Sequence, residues 1–176
     1  YKDIKYNLGP LSNGVGEVLI KSVTASSDND ISFTTGIDST YKKYVIRFQI
    51  HPSADEDNFL WQGSTNSGSA YGIATTNTYF RAYHQEDDGG NALNVNANAN
   101  LAQGTGGISL GRSIGNDNDQ VIAGYICLFD PSNTSHIKHY STACNLSTGG
   151  SNNASYNTFC GGYLNTTSAI NAIKLN

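Results

Sequence analysis

Methionine is absent from the 176 residues, proline occurs three times, tryptophan once, and charged side chains make up only 14% of the chain. Each shortage excludes something. With no Met anywhere, Tyr1 is not expected to be a translation start. Lys, Glu, Leu and Met, the strongest helix formers after Ala, are too sparse for a helical bundle. No apolar run approaches the roughly 18 residues that a transmembrane helix needs, and the opening YKDIKYNLGPLSNG lacks the apolar core of a signal peptide. The net charge is −4, and Lys and Arg stand singly except at Lys42-Lys43. No basic stripe exists for phosphate contacts, so neither nucleic acid nor membrane insertion is expected. The three cysteines, Cys127, Cys144 and Cys160, are an odd number at wide spacing. That pattern fits neither a zinc motif nor a disulfide framework, and buried or part-buried free thiols are expected.

What the chain does have is 19 glycines and many Asn, Ser and Thr between short apolar segments, a turn-rich β composition. EVLIKSVTA from Glu17 and NDISFTTG after it read as two strands around an SSDND turn. KKYVIRFQIHP places Tyr44, Ile46, Phe48 and Ile50 on one face and Val45, Arg47 and Gln49 on the other, and Pro52 ends it. DNFLWQGS is a short strand. TNTYFRAYHQ carries aromatics on both faces, as an inner strand or one lining a groove would. NALNVNANANLAQGTGG reads as a long loop or irregular edge. DQVIAGYICLF, apolar on both faces, reads as a central strand. After a DPSN turn, TSHIKHYSTA returns beside it, and SYNTFCGGYLN and AINAIKLN supply the last strands, with TTSAINAI alone able to open a short helix instead. About ten strands with frequent turns predict an all-β, antiparallel two-sheet sandwich of jelly-roll or concanavalin/lectin-like type with little helix. Residues 1–16 read as an arm or linker from an upstream region, and 17–176 as one domain.

Several of these stretches together carry a resemblance: VTASSDNDISFTTGIDSTYKKYVIRFQIHP, TYFRAYHQEDD, GNDNDQVIAGYICLFDPSNTSHIKHY and NTFCGGYLNTTSAINAIKLN. The chain from about Val18 to its end resembles β-sandwich virion structural or tail-fibre-associated proteins of marine tailed phages, cyanophages among them. The resemblance implies a component of the virion's exterior surface: a capsid decoration or fibre, or a tail-fibre part. It would contact other virion proteins, form a homo-oligomer with a trimer favoured, and touch host surface polysaccharide. A carbohydrate-binding module outside a virion is the alternative, and a polysaccharide-degrading enzyme comes third. The resembling proteins continue with a further strand, which implies that this domain lacks its last one. The resemblance transfers no catalytic residue.

The residues themselves offer candidate sites, each with a plainer structural reading. Asp117 and Asp119 in GNDNDQ lie two apart among asparagines. Such oxygens can cup Ca²⁺, although the EF-hand Gly and terminal Glu are missing, and an Asx-rich turn launching the next strand is the plainer reading. The ADEDN and QEDDGG clusters sit at strand ends, as solvated loop charge does. His51, His84, His136 and His139 show no zinc spacing, and no Gly-x-Ser-x-Gly elbow occurs. A non-enzymatic protein is therefore expected. Sugar recognition needs aromatic faces beside amides and hydroxyls, and Trp61, Tyr71, Tyr79, Tyr83 and Tyr163 are the candidate glycan-binding residues, set against an ordinary core role for the same rings.

Overall fold

Period-2 apolar patterns turn into strands wherever a neighbouring backbone takes up the free N–H and C=O groups. A computed structural model describes residues 16–150 and 153–176. Among them eleven strands form two antiparallel sheets: β1 (Ile31–Phe33), β2 (Lys43–Ile50), β3 (Asp57–Ser64), β4 (Thr75–Gln85), β5 (Asn91–Val95), β6 (Ala102–Gly104), β7 (Ile108–Ile114), β8 (Ile122–Phe129), β9 (Lys138–Ser147), β10 (Ala154–Leu164) and β11 (Ala172–Leu175). The smaller sheet runs β1-β11-β3-β7. The larger, seven-stranded sheet runs β2-β8-β9-β10-β4-β5, with β6 also on β4. The chain is thus an all-β two-sheet sandwich, and the one helical element among the described residues is a 3-10 turn at Ala97–Ala99.

The core lies between the sheets. Tyr44 is buried and Ile46, Phe48 and Ile50 pack against the core, while Arg47 and Gln49 are exposed, as the alternation of β2 predicts. Ile122, Ile126 and Leu128 of β8 are fully buried, each contributing about 1.5–3 kcal/mol of transfer free energy. Trp61 of β3 meets Tyr140 of β9 edge-on at 4.8 Å, and Phe59 of β3 meets Phe48 of β2 at 5.2 Å. Close approach of the layers needs Gly111 on β7, where a Cβ would lie 2.6 Å from both Ile122 Cδ1 and Leu146 Cδ2.

The structure departs from the sequence reading in three places. EVLIKSVTA enters neither ladder. Glu17 pairs with Arg47 of β2, and Lys21 Nζ lies 6.0 Å from the Phe33 ring centroid, so only side chains join this segment to the edges. A strand-like pattern records side-chain preference, and here no backbone partner completes it. NALNVNANANLAQGTGG is no long loop, because it supplies β5, β6 and the 3-10 turn at the sheet edge. GISLGRSI, passed over by the sequence reading, forms β7. Its Gly and Arg break the alternation, and register shifts in its pairing with β3 disturb it further. No helix forms at TTSAINAI, and β11 begins at Ala172. Of the expected arm, only Gly16 lies within the described residues.

Candidate binding surfaces

Residues directly opposite on antiparallel strands share a face, so the register of the larger sheet builds its outer surface row by row. Phe80 of β4 stands opposite Phe159 of β10, Phe159 opposite Ala143 of β9, Ala143 opposite Tyr125 of β8, and Tyr125 opposite Arg47 of β2. Val95 of β5 extends the row beyond Phe80. Five apolar or aromatic residues in line thus cross the sheet and end at the Arg47–Glu17 ion pair. Phe80, Phe159 and Tyr125 remain 40%, 39% and 41% exposed. The two Phe rings lie nearly parallel, 19° apart with centroids 5.2 Å distant. Leu93 and Phe129 add exposed apolar surface nearby on β5 and β8. Polar groups border the row: Asn145 and Asn157 pair across β9 and β10, with Asn145 Nδ2 donating to Asn157 Oδ1 at 3.2 Å.

The five rings expected to hold a glycan do not converge. Trp61 and Tyr79 are 0% and 1% exposed, so neither offers a face to an external sugar. Burial pushes the Tyr79 hydroxyl up to about 12. Tyr71 sits in the β3–β4 connection with Lys174 Nζ 5.2 Å from its ring centroid. Tyr83 packs against Tyr156 of β10, centroids 5.2 Å apart. Tyr163 lies on the outer face of β10, edge-on to His139 at 6.0 Å. Sequence reasoning missed Phe80, Phe159 and Tyr125. The available signal was a strand with apolar or aromatic residues on both faces, read for β8 as central position and for β4 as an inner strand or one lining a groove.

The GNDND stretch is a turn, but its capping side chain is Gln120. The buried Gln120 accepts from Asp117 N at 3.0 Å, and its amide nitrogen donates to Thr148 O at 3.2 Å. Asp117 and Asp119 are exposed. No group of three His, Cys, Asp or Glu side chains gathers there or elsewhere among the described residues. Asp55 and Glu56 lie in the turn before β3 and Asp57 opens that strand, whereas the other acidic cluster lies in the turn after β4, where Asp88 reaches His84 at 2.9 Å. Burial pushes the Cys144 thiol up to about 12 and raises Cys160 as well. Among the described residues no helix is long and apolar enough to cross a membrane. The chain matches no protein family, no curated protein and no solved structure.

Proposed function

We propose that this chain is a non-enzymatic structural protein of a phage virion, carried on the exterior as a capsid decoration or fibre, or as a tail-fibre component. In this reading it assembles as a symmetric homo-oligomer, with a trimer favoured, through the outer face of its seven-stranded sheet. The observation that carries the reading is the uncovered row Val95-Phe80-Phe159-Ala143-Tyr125. A contiguous apolar row on a solvent-facing sheet is the mark of an interface. Val18, Leu19, Ile20 and Val23, also exposed, give the chain a second uncovered apolar segment before β1. Charged residues are few on both, as they are at interface cores. The resemblance of the segments around β2, β4 and β8–β11 to phage virion proteins supplies the setting. Many copies on a particle would multiply weak contacts with host polysaccharide.

Two measurements test this reading. Mass spectrometry of density-purified particles of the encoding phage is expected to find VIAGYICLFDPSNTSHIK at a fixed ratio to the major capsid protein. Absence of the peptide removes the virion role. Sedimentation velocity of the isolated chain is expected to show an oligomer that the double variant F80S/F159S converts to a folded monomer. A wild-type chain that stays monomeric at about 100 µM, where even a weak specific dimer should be populated, removes the assembly role of this face.

A further inference from the structure

A seven-stranded sheet backed by four strands cannot have its inner face covered throughout. The rim of the smaller sheet is marked at β10, where buried Thr158 donates from Oγ1 to Leu110 O of β7 at 2.7 Å. Past that rim β4 and β5 form a shelf. Arg81 stands opposite Thr158 on one side and Asn94 on the other, and Tyr83 stands between Tyr156 and Ala92. Toward β6 the same face is closed, because Ala99 and Leu101 pack into the core beside Tyr79. At Arg81 and Tyr83 it is open: both are half-buried and Asn94 is exposed.

Arg81 is held there without an ionic partner. Its guanidinium carbon lies 4.6 Å from the Tyr156 ring centroid and 5.7 Å from that of Tyr83. The Nε–H is sealed from solvent and has no acceptor. None of the ion pairs among the described residues includes Arg81, although the chain carries more acidic than basic groups. Neither terminal amino group is a buried atom without a partner in this way, and the residue as a whole is half-buried. Two tyrosine rings thus orient a planar cationic fork whose donors lack a planar acceptor, the geometry that a carboxylate satisfies with two parallel hydrogen bonds.

We infer that the Arg81–Tyr83–Tyr156 shelf binds a carboxylate-bearing sugar, a uronic acid unit of an acidic polysaccharide. The carboxylate takes the guanidinium fork, and the partly exposed tyrosine rings and the Asn94 amide meet the pyranose. An acidic peptide would supply the carboxylate alone and leave that aromatic and amide surface unused. The site lies on the face opposite the apolar row and would be present in a monomer, so it stands apart from the assembly reading. Tyr83 is the one candidate glycan residue from the sequence that belongs to it.

Isothermal titration of the full chain with oligogalacturonate, with the uncharged galactose oligomer of equal length, and with a glutamate-rich peptide tests the inference. Saturable binding of oligogalacturonate is expected, with the neutral sugar and the peptide each at least about tenfold weaker. R81Q should weaken uronate binding about 10- to 100-fold, the range for a hydrogen-bonded charge. R81K keeps the charge and the stem but loses the fork, so it should fall between. It also keeps the test valid if R81Q fails to fold. Equal binding of the neutral sugar, equal binding of the peptide, unchanged uronate affinity in R81K, or no uronate binding at millimolar concentration would each overturn the assignment.

Discussion

Along β10, Tyr156, Thr158, Cys160 and Leu164 point into the sandwich and alternate with Asn157, Phe159 and Tyr163, which point out. Both faces carry aromatic rings, yet the rings are held in different ways. Across the layers they meet edge to face: Trp61 on Tyr140 at 87° and Phe59 on Phe48 at 70°. On the outer face Phe80 and Phe159 lie side by side on neighbouring strands, 19° from parallel. Opposed sheets let rings interlock and fill volume from both sides, whereas a single sheet surface offers a ring only lateral neighbours. The rings that meet across the layers are therefore held by their own chain, and the outer rings keep a face free for another molecule. Two populations of similar residues thus divide into packing and contact, and only burial tells them apart.

The sharpest way to break that comparison is to truncate one ring from each population. Trp61→Ala should cost about 3–5 kcal/mol, since a fully buried indole leaves a cavity that its neighbours cannot close. Phe159→Ala should cost the monomer less than about 1 kcal/mol, the scale of one exposed cross-strand pair. Urea unfolding followed by circular dichroism, at a concentration where the chain is monomeric, measures both. Equal costs would mean that the outer ring is structural, and the row would lose its standing as a contact surface.

The sequence made part of this legible. The alternation of β2 appears directly in KYVIRFQI, and the apolar residues on both faces of IAGYICLF mark β8 as an inner strand of its sheet. β7 was not legible, since Gly111 reads as a breaker until the opposing Ile122 and Leu146 show why no Cβ fits there. Glu17–Ala25 shows the converse, a strand pattern without a ladder, because pairing depends on a distant backbone that local pattern does not encode. For the candidate sites, residue type marked rings suited to sugars, but nothing local separates enclosed Trp61 and Tyr79 from exposed Phe80 and Phe159. The Arg81 shelf follows from the unequal widths of the two sheets, a property of topology rather than of any segment.

The cysteines sample the same two faces and sharpen the contrast chemically. Cys144 and Cys160 are buried, and burial raises both thiols, Cys144 to about 12. Cys127 stands between Val45 and Ser141 in the outer row next to the aromatic one and is only half-buried. Since the thiolate is the reacting form, a thiol reagent at pH 8 should label one cysteine per native chain, at Cys127, and three after unfolding. Peptide mapping identifies the site. Prompt labelling of Cys160 in the native protein would show that the layers open readily and that the inner face is less enclosed than its burial indicates.

The finest distinction concerns a charge placed on the enclosed side. Lys138 opens β9 with its side chain fully buried, and Nζ donates to His136 O at 2.6 Å and to Thr166 O and Thr167 O at 3.3 Å. These bonds tie the loop before β11 to β9, so Lys138→Met should cost about 1–3 kcal/mol at neutral pH through carbonyls left unpaired. Burial pushes the amine's pKa below the ordinary lysine value, against the pull of Asp130. The unfolded chain therefore holds this proton more tightly than the folded one. Between the two pKa values the unfolded state binds more protons, so folding stability rises with pH there, by at most about 1.4 kcal/mol per unit, and is flat with respect to this group outside that window. Urea midpoints of wild type and Lys138→Met at intervals from pH 7 to 10.5 should therefore diverge, with wild type gaining relative to the variant as the pH rises, while other titrating groups cancel in the difference. Parallel curves would mean that the three carbonyls hold the proton as firmly as water does, and that this end of the inner face is polar in substance as well as in composition.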